Sequence, residues 1–304
     1  MAVNDIANHF IRTYEANVIE LVQQKGSKLR RTVTEHNIQR GDSHSFRVVG
    51  PRGAMTSRNT ASGSTPGLSA FKRTATPYVD TPMNDRIVGS VPYAAADSYS
   101  RAEMERLLED PQSIMLQAQA NQVGRQFDDV ILAAVLANAT DNLSTVLAFL
   151  AANQIGGANV SPGFELVKSA REQILEADID PDEEVFLVVS PNFITSLLGV
   201  AEYGSQDYVN ARAIQDGKPI GRWMGFSWIV SNRLTHPVVG PPAETYAVAY
   251  TKDAIGLKVV TDIHVDVGPD PAHWFDWTCM TSIDIGATRI QDGKAWRFHY
   301  LETN

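Results

Sequence analysis

Three side chains in the C-terminal third of the sequence have the types and the spacing of a metal site. Asp262, His264 and Asp266 alternate within residues 255–267, a stretch with the alternating apolar pattern of a β-strand. Alternation places the three on one strand face, about 6.5–7 Å apart in successive pairs. Carboxylates and an imidazole can bind a divalent metal, which suggests a metal-dependent hydrolase. The same pattern is typical of the solvent-facing side of a half-buried strand, so the metal site is a hypothesis with a structural alternative.

Motifs of other common catalytic and cofactor sites are absent from the sequence. Neither of its Gly-Lys pairs is followed by Ser or Thr, as a phosphate-binding loop requires. There is no G-x-G-x-x-G after a strand, no H-E-x-x-H and no G-x-S-x-G. Cys279 is the single cysteine, so no disulfide can form within the chain and a reducing folding compartment is expected. We therefore predict no catalytic residue and no cofactor.

Charge is distributed unevenly along the chain. The formal net charge is -9, yet residues 25–86 hold 11 Lys and Arg and only four acidic residues. That segment is +7 and the remainder is -16, so copies of the chain can attract one another. Nucleic acid is the alternative partner, although the basic charges are dispersed and few aromatic residues could stack on bases. No stretch approaches 18 uninterrupted apolar residues, so no membrane span is expected.

Residues 33–86 are unusual for a compact domain. Strand-like alternation at 44–50 and 71–79 flanks a stretch rich in Gly, Ser, Thr and Pro, which is typical of turns. We predict a long two-stranded hairpin, with a disordered surface loop as the alternative. An isolated hairpin is marginally stable in water, so a second copy of the chain would have to stabilise it. The basic residues of this segment that we expect at subunit contacts are Arg47, Arg52, Arg58, Lys72 and Arg73.

Two helices are predicted from apolar residues that recur every three to four positions. Residues 5–24 form the first, which either packs within its own domain or lies as an arm on a neighbouring copy through Phe10 and Tyr14. The second starts at Asp110-Pro111 and is about 29 residues long. We assign its adjacent Asp128 and Asp129 to the solvent edge. The apolar stripe of this second helix consists of Leu116, Ala120, Val123, Phe127, Val130, Ala134 and Ala137.

The rest of the chain divides into an α/β unit and a stretch of strands. The unit, residues 151–240, contains predicted helices at 162–177, 191–200 and 205–214 and predicted strands at 184–190 and 220–231. A proline-rich linker at 237–243 follows, and only strands are predicted after it. Residues 291–294 read Gln-Asp-Gly-Lys, which indicates a hairpin between strands at 280–290 and 295–301.

Four short stretches, together with the order of the predicted elements, carry a family resemblance. The stretches are YAAAD at 93–97, LLEDP at 107–111, GRQFDDVILAA at 124–134 and DIGATR at 284–289. The chain resembles tailed-bacteriophage major capsid proteins with the Hong Kong 97-type fold. That α+β fold has an N-terminal arm, an extended β-hairpin loop, a peripheral domain with a long spine helix, and an inserted α/β axial domain. The resemblance covers nearly the whole chain, but the matching residues serve packing and turns, so no catalytic residue is carried over.

The resemblance implies a division of the chain into four parts. The arm would be 1–32, the extended loop 33–86, the peripheral domain 87–150 with 241–304, and the axial domain 151–240. The extended loop would lie over a neighbouring subunit. Some relatives cross-link subunits through a lysine of this loop, but residues 41–70 contain no lysine, so that cross-link is not expected.

The resemblance also implies a function. Copies would form hexamers and pentamers of an icosahedral shell that encloses double-stranded DNA and contacts it non-specifically. The shell would be part of the virion, assembled in the host cytoplasm with a portal. A separate scaffolding protein is expected, since the sequence lacks the long helical scaffolding region with which some relatives begin. The alternatives are an encapsulin-like shell that holds cargo and a tail or decoration protein.

Overall fold

The computed structural model describes residues 24–37, 41, 43–50, 83–100, 111–141, 143–199, 221–237 and 243–302. The helices are α1 (Pro111–Leu136), α2 (Phe164–Glu176) and α3 (Pro191–Leu198). The strands are β1 (Thr34–Asn37), β2 (Ser43–Val49), β3 (Met83–Gly89), β4 (Val91–Tyr99), β5 (Ala139–Asp141), β6 (Val146–Leu147), β7 (Gln154–Gly156), β8 (Val185–Val189), β9 (Arg222–Trp223), β10 (Phe226–Val230), β11 (Ala243–Thr251), β12 (Ile255–Asp270), β13 (Asp276–Arg289) and β14 (Ala295–Glu302). Apart from a single end residue, the helices predicted at 5–24 and 205–214 and the strand predicted at 71–79 lie outside the described residues.

The larger sheet has six strands in the order β7-β14-β11-β8-β10-β9. Its central strand β8 is an apolar run, as a strand covered on both faces requires, and four of its five residues are buried. Helices α2 and α3 add their apolar faces to the same core. The strand predicted at 184–190 and the helices predicted at 162–177 and 191–200 are thereby confirmed within one to two residues at most ends.

This sheet takes strands from both sides of the boundary that the sequence placed at residue 240. Strands β7 to β10 come from 151–240, whereas β11 and β14 come from the C-terminal stretch and lie between β7 and β8. The physical reason is burial, since residues 247–250, Phe298 and Tyr300 have no exposed surface. The α/β unit is therefore completed by the C-terminal strands rather than being separate from them.

The second sheet has the order β1-β12-β13-β4, and its strands β12 and β13 form a long antiparallel hairpin. Strands β13 and β14 were predicted to pair through residues 291–294, but they belong to different sheets, so that prediction is wrong. Asp292 in the connection accepts hydrogen bonds from both Arg86 and Arg289. These bonds hold the chain where it crosses from one sheet to the other.

Helix α1 packs along β13 and spans 26 residues, close to the predicted length. Within the predicted stripe, Val123, Phe127 and Ala134 are buried, whereas Ala120 is exposed and Ala137 follows the end of the helix. The buried surface is wider than predicted because the second sheet covers one side of the helix and residues 24–33 cover another. Further buried residues of the helix are Gln119, Asn121, Gly124, Asp128, Ile131, Leu132 and Val135.

A third sheet joins strands in the order β2-β3-β5-β6. Strands β2 and β3 form a two-stranded ribbon in which Ser43 lies opposite Gly89 and Val49 opposite Met83. The strand predicted at 44–50 is confirmed. The second arm of the described ribbon is 83–89, and residues 51–82, which connect the two arms, lie outside the described part.

Candidate interaction surfaces

The structure does not assemble Asp262, His264 and Asp266 into a metal site. Two register shifts between β12 and β13 fall near Asp262 and interrupt the alternation on which the prediction depended. Asp262 instead accepts hydrogen bonds from the two terminal nitrogens of Arg30, at 3.0 and 2.9 Å. Within the described residues, no group of three or more His, Cys, Asp or Glu side chains is placed to hold a metal ion.

Asp128 is completely buried on helix α1, so its predicted place at the solvent edge is wrong. Its carboxylate accepts hydrogen bonds from the backbone N–H groups of Lys28, at 3.1 Å, and Leu29, at 3.0 Å. The hydroxyl of Ser27 donates to it at 2.6 Å. A buried carboxylate is stable only when donors surround it, and here the donors come from about 100 residues away in the sequence. We call residues 24–32, which Asp128 holds against α1, the arm root.

A close backbone approach accompanies the Asp128 contacts. A Cβ atom at Gly124 would lie 2.4 Å from the carbonyl carbon of Gly26, which is closer than such atoms come. Gly26 itself has φ +71°, a conformation that favours glycine. The guanidinium of Arg30 lies over the ring of Phe127, 4.6 Å from its centroid. The arm root therefore lies directly on the helix surface.

Arg289 is a second buried polar hub, with 1% of its surface exposed. Helix ends leave carbonyl groups without partners, and this side chain binds that of Val135 in the last turn of α1 and that of Ala137 just after the helix. It also binds the last residue of β6, Leu147, and the residue that follows it, Ala148. The acceptors of its guanidinium are Val135 O at 3.1 Å, Ala137 O at 2.8 Å, Leu147 O at 3.3 Å, Ala148 O at 3.2 Å and Asp292 Oδ1 at 2.5 Å.

The root of the β2–β3 ribbon lies over the second sheet. Phe46 and Ile290 belong to one small buried cluster. Gly256 of β12 makes room for it, since a Cβ there would lie 2.6 Å from the ring of Phe46. Arg86 of β3 donates to Asp292 at 3.0 Å. The root is thus fixed to its own chain by apolar packing and by one ion pair of low exposure.

Side chains at the far end of the described ribbon are largely exposed. Val49 and Met83 face each other across the two strands and are 60% and 63% exposed. The side chain of Arg47 is exposed and pairs at 3.4 Å with Asp85 of the same ribbon. The other predicted contact residues, which lie outside the described residues and stay predictions, are Arg52, Arg58, Lys72, Arg73, Phe10 and Tyr14.

The tip of the β12–β13 hairpin presents two large aromatic side chains. Trp274 is 95% exposed and Phe275 is 67% exposed, and both have positive φ values, 55° and 60°. Asp270 fixes this turn: one carboxylate oxygen accepts from the backbone N–H of Ala272 at 2.9 Å, and the other contacts Nδ1 of His273 at 2.7 Å. His273 lowers the pKa of Asp270 and so favours the charged acceptor. The aromatic pair is therefore held outward by a structured turn.

Sequence patterns alone did not single out Arg289 or the Trp274–Phe275 pair as functional residues. Signals for both were available. Arg289 ends the DIGATR stretch that carried part of the family resemblance, and two adjacent aromatics inside an Asp-Pro turn are unusual. Cys279, in contrast, is buried as a small apolar residue would be. No helix in the described ranges is both long and apolar enough to cross a membrane.

Three rings cluster where β1 meets β2, at the ribbon root. The centroids of His36 and His44 are 5.6 Å apart, and those of His44 and Phe46 are 4.6 Å apart. The cluster borders a cavity of about 380 Å³. The residues that line this cavity are Thr34, His36, His44, Ser45, Phe46, Arg47, Asp253, Ile290 and Gln291.

Acidification below about pH 6.5, the ordinary pKa of histidine, is expected to loosen this root. Burial, followed by the positive charges of His36 and Lys258, lowers the pKa of His44. Arg47 adds a further positive charge beside the cavity, and Asp253 offsets part of it. Because the fold favours the neutral His44 ring, its stabilisation is complete above the ordinary pKa. It begins to be lost as the pH falls through that value, and it is fully lost once the pH is also below the lower pKa of His44 in the folded protein.

Hydrogen exchange measures this effect. Protection factors of the β2 and β3 amides should fall between about pH 7.5 and about pH 5.5. His44→Gln should remove most of that dependence while leaving the protection of β8 unchanged. Equal protection of the ribbon at both pH values in the unaltered protein would contradict the prediction.

Comparisons with known proteins agree on one family. A family model described as "Phage capsid protein" matches residues 6–302. No curated protein sequence matches significantly. Among solved structures, the capsid of the cyanophage P-SCSP1u is similar with a TM-score of 0.72 at 14% sequence identity, over 98% of this chain and 95% of that one.

Two further capsid structures show the same similarity. For the capsid of Ralstonia phage GP4 the TM-score is 0.72 at 11% identity, over 100% of this chain and 99% of that chain. For the capsid of the Helicobacter pylori bacteriophage KHP30 the TM-score is 0.68 at 10% identity, over 99% and 98% of the two chains. At such identities the likeness establishes the fold, which is the α+β Hong Kong 97-type fold that the sequence predicted.

Proposed function

The chain belongs to the phage capsid protein family, and we propose that its copies form hexamers and pentamers that close around double-stranded DNA. It is a major capsid protein, the subunit of an icosahedral virion shell. We further propose that it has no catalytic role, that the shell assembles in the host cytoplasm, and that a separate scaffolding protein and a portal take part. DNA would be contacted non-specifically, through charge.

One observation carries the proposed assembly: the β2–β3 ribbon is anchored at its root and uncovered at its far end. Apolar Val49 and Met83 are mostly exposed there, and a two-stranded ribbon alone is marginal in water. A neighbouring copy would supply the missing contacts. Repeated by symmetry, even weak contacts of this kind add up to a stable closed shell.

We assign the parts of the chain the roles that the family fold suggests. Residues 1–32 would form the arm and 33–86 the extended loop. The peripheral domain would comprise 87–150 and 241–304, with α1 as its spine, and 151–240 would form the axial domain near the local symmetry axis. The six-stranded sheet takes β11 and β14 from the peripheral share of the sequence, so the axial part would be held firmly to the rest.

Electron microscopy of negatively stained particles from the purified protein tests the assembly directly. Closed shells of uniform size are expected, together with hexameric and pentameric capsomers at higher magnification. Nuclease-protected DNA inside particles made during infection would support a viral capsid, and a protein cargo would indicate an encapsulin-like compartment. A stable monomer at high concentration would overturn the proposal.

Reversing two charges of the extended loop is expected to reduce assembly. Arg52→Glu with Arg58→Glu lowers the charge of the +7 segment by four, so its attraction to acidic surfaces of a neighbour weakens. Light scattering should show a clear fall in shell yield. The control is Lys168→Glu with Arg222→Glu, an equal change at exposed positions of the α/β unit. Unchanged yield for the loop variant would contradict the prediction that these arginines contact acidic groups of a neighbouring subunit.

A proline in the middle of the spine helix is expected to abolish shells. Val123→Pro removes a helical hydrogen bond and places the ring against the preceding turn, at a cost of about 3 kcal/mol or more. The position is buried, so the helix cannot bend away without losing core contacts. Circular dichroism and particle counts measure the outcome. Val123→Ala keeps the backbone donor and should retain the helical signal, so an equal loss of signal in both variants would contradict the prediction.

A further inference from the structure

The arm root adds positive charge to the surface of helix α1. Its residues 24–32 contain four Lys or Arg and no acidic residue. Lys25, Lys28 and Arg31 are exposed. Arg125 of α1 is one residue from the position where the backbone of the arm root comes closest to the helix. Basic side chains from two segments that are far apart in the sequence therefore lie on one surface.

The same surface extends to the end of strand β10. The ammonium group of Lys28 donates to the carbonyl oxygen of Val230, the last residue of β10, at 2.9 Å. Arg233, three residues further on, binds the carboxylate of Asp129 of α1 through two nitrogens. We call the surface formed by the arm root, the middle of α1 and residues 230–233 the root face.

Besides Asp129, three acidic side chains belong to this part of the structure, and each is engaged within the chain. Asp128 is completely buried and accepts the N–H groups of the arm root. Glu35 and Asp262 share the guanidinium of Arg30. These carboxylates are therefore already occupied by donors of their own chain.

Lys28 and Arg31 carry positive charge that no carboxylate of the described residues neutralises. The recorded acceptor of the Lys28 ammonium is a neutral carbonyl oxygen, which does not cancel its charge. The side chain of Arg31 forms no ion pair within the described part of the chain. The basic residues named above number six and the acidic ones four, so a formal net charge of +2 remains. The root face therefore attracts anions.

The opposite end of strands β8 and β10 is acidic. The two strands are parallel and in register, so both end on the side of the root face, where Val230 lies. Residues 172–184, which lead into the beginning of β8, contain seven Asp or Glu and no Lys or Arg. Five residues of a strand span about 13 Å. The six-stranded sheet therefore separates an acidic end from a basic one, and a polyanion is drawn to the basic end.

The chemistry of the root face favours a nucleic-acid backbone over a protein partner. No large apolar side chain is exposed in residues 24–33, 120–133 or 226–234, whereas the centre of a protein contact usually buries such an anchor. Phosphate groups, in contrast, are bound by Lys and Arg through charge. These ranges also have no exposed aromatic ring that could stack on a base, so such binding would not depend on the base sequence.

We infer that the root face lines the interior of the shell and binds the phosphate backbone of the enclosed double-stranded DNA. This inference rests on the proposed function and names the surface through which DNA is contacted. Lys28 and Arg31 supply the phosphate contacts. Asp129 limits them, because it occupies the guanidinium of Arg233.

Fluorescence anisotropy with a labelled DNA duplex of mixed sequence tests the inference on the unassembled full-length subunit. Each phosphate contact contributes about −0.9 to the slope of log affinity against log salt concentration. Lys28→Gln with Arg31→Gln should therefore reduce the magnitude of this slope by about 1.8 and weaken binding at low salt by at least about tenfold. The control is Lys168→Gln with Arg222→Gln, an equal change of charge at exposed positions of the α/β unit. Equal losses in the two variants, or no binding by the unaltered subunit, would overturn the inference.

A variant that gains affinity separates an effect of charge from misfolding. Asp129→Asn removes one negative charge and releases Arg233 from its ion pair. Binding to the same duplex should become about threefold tighter, and the slope should become steeper by about 0.9. An unchanged or weaker affinity would show that the root face does not hold the duplex.

Cross-linking in particles made during infection tests the contact in the shell and separates the two proposals. Formaldehyde joins lysine side chains to nearby DNA, and mass spectrometry should find the joined nucleotides on peptides that contain residues 24–32. If the particles contain no DNA, the proposed function is wrong. If DNA-filled shells form but the cross-links map elsewhere, or if a second protein is joined to the arm root in place of DNA, only the inference is wrong.

Discussion

Replacement of Arg289 by methionine is expected to lower the free energy of unfolding by about 4 kcal/mol, a large fraction of the stability of a typical domain. Methionine fills a similar volume but donates no hydrogen bond. The buried carbonyl of Val135 would then lose its donor, as would the part-buried carbonyls of Ala137, Leu147 and Ala148. Each unsatisfied group costs about 1–3 kcal/mol, although local rearrangement recovers part of this.

Chemical denaturation of the unassembled full-length subunit measures the effect. Arg289→Lys keeps the positive charge but not the planar fork that reaches several acceptors, so about half of the loss is expected. The control is Arg222→Met, at an exposed position, where a change within about 0.5 kcal/mol is expected. If Arg289→Met proved as stable as this control, the hub would have no structural importance.

Removal of the Asp128 carboxylate is expected to detach the arm root from helix α1. Asp128→Ala leaves the backbone N–H groups of Lys28 and Leu29 without their acceptor. The cost is about 3 kcal/mol, since hydrogen bonds to a charged acceptor are stronger than neutral ones. Asp128→Asn retains one acceptor oxygen, so its free energy of unfolding should lie between those of the unaltered protein and Asp128→Ala. Limited proteolysis near residue 28 and chemical denaturation measure detachment and stability.

The neighbouring residue Asp129 is a matched control. It is on the same helix and pairs with Arg233, and both side chains are about one-third exposed. Exposed ion pairs contribute at most about 1 kcal/mol, so Asp129→Ala should leave the arm root protected. Equal proteolysis of the two variants would mean that the contacts of Asp128 do not hold the arm root.

Periodicity was sufficient to predict the long helix and the central strands, because burial of a regular apolar face is encoded locally. The helix begins at Pro111 as its acidic cap and proline predicted. The apolar strand at 185–189 was found within one residue at each end. The overall fold came from the family resemblance rather than from periodicity alone.

Local sequence patterns could not predict the burial of the polar residues Asp128 and Arg289. Asp128 was assigned to solvent because a carboxylate usually lies there, yet its donors come from the arm root. The Gln-Asp-Gly-Lys turn signal was genuine, but a turn does not determine which sheet each flanking strand joins. The metal hypothesis at Asp262 depended on regular alternation, and the register shifts that interrupt it are not visible in the sequence of the strand.

The carboxylate of Asp292 accepts hydrogen bonds from two arginines that belong to different structural elements. Arg86 belongs to the ribbon, whereas Arg289 binds the end of the long helix. Substitutions at these two positions act on one acceptor, so their energetic effects cannot be summed. A displacement of the ribbon by a neighbour that draws Arg86 away would leave Asp292 wholly to Arg289. A neighbour that pulls on the ribbon would therefore change the ion pairing of Arg289, the side chain that holds the C-terminal end of α1.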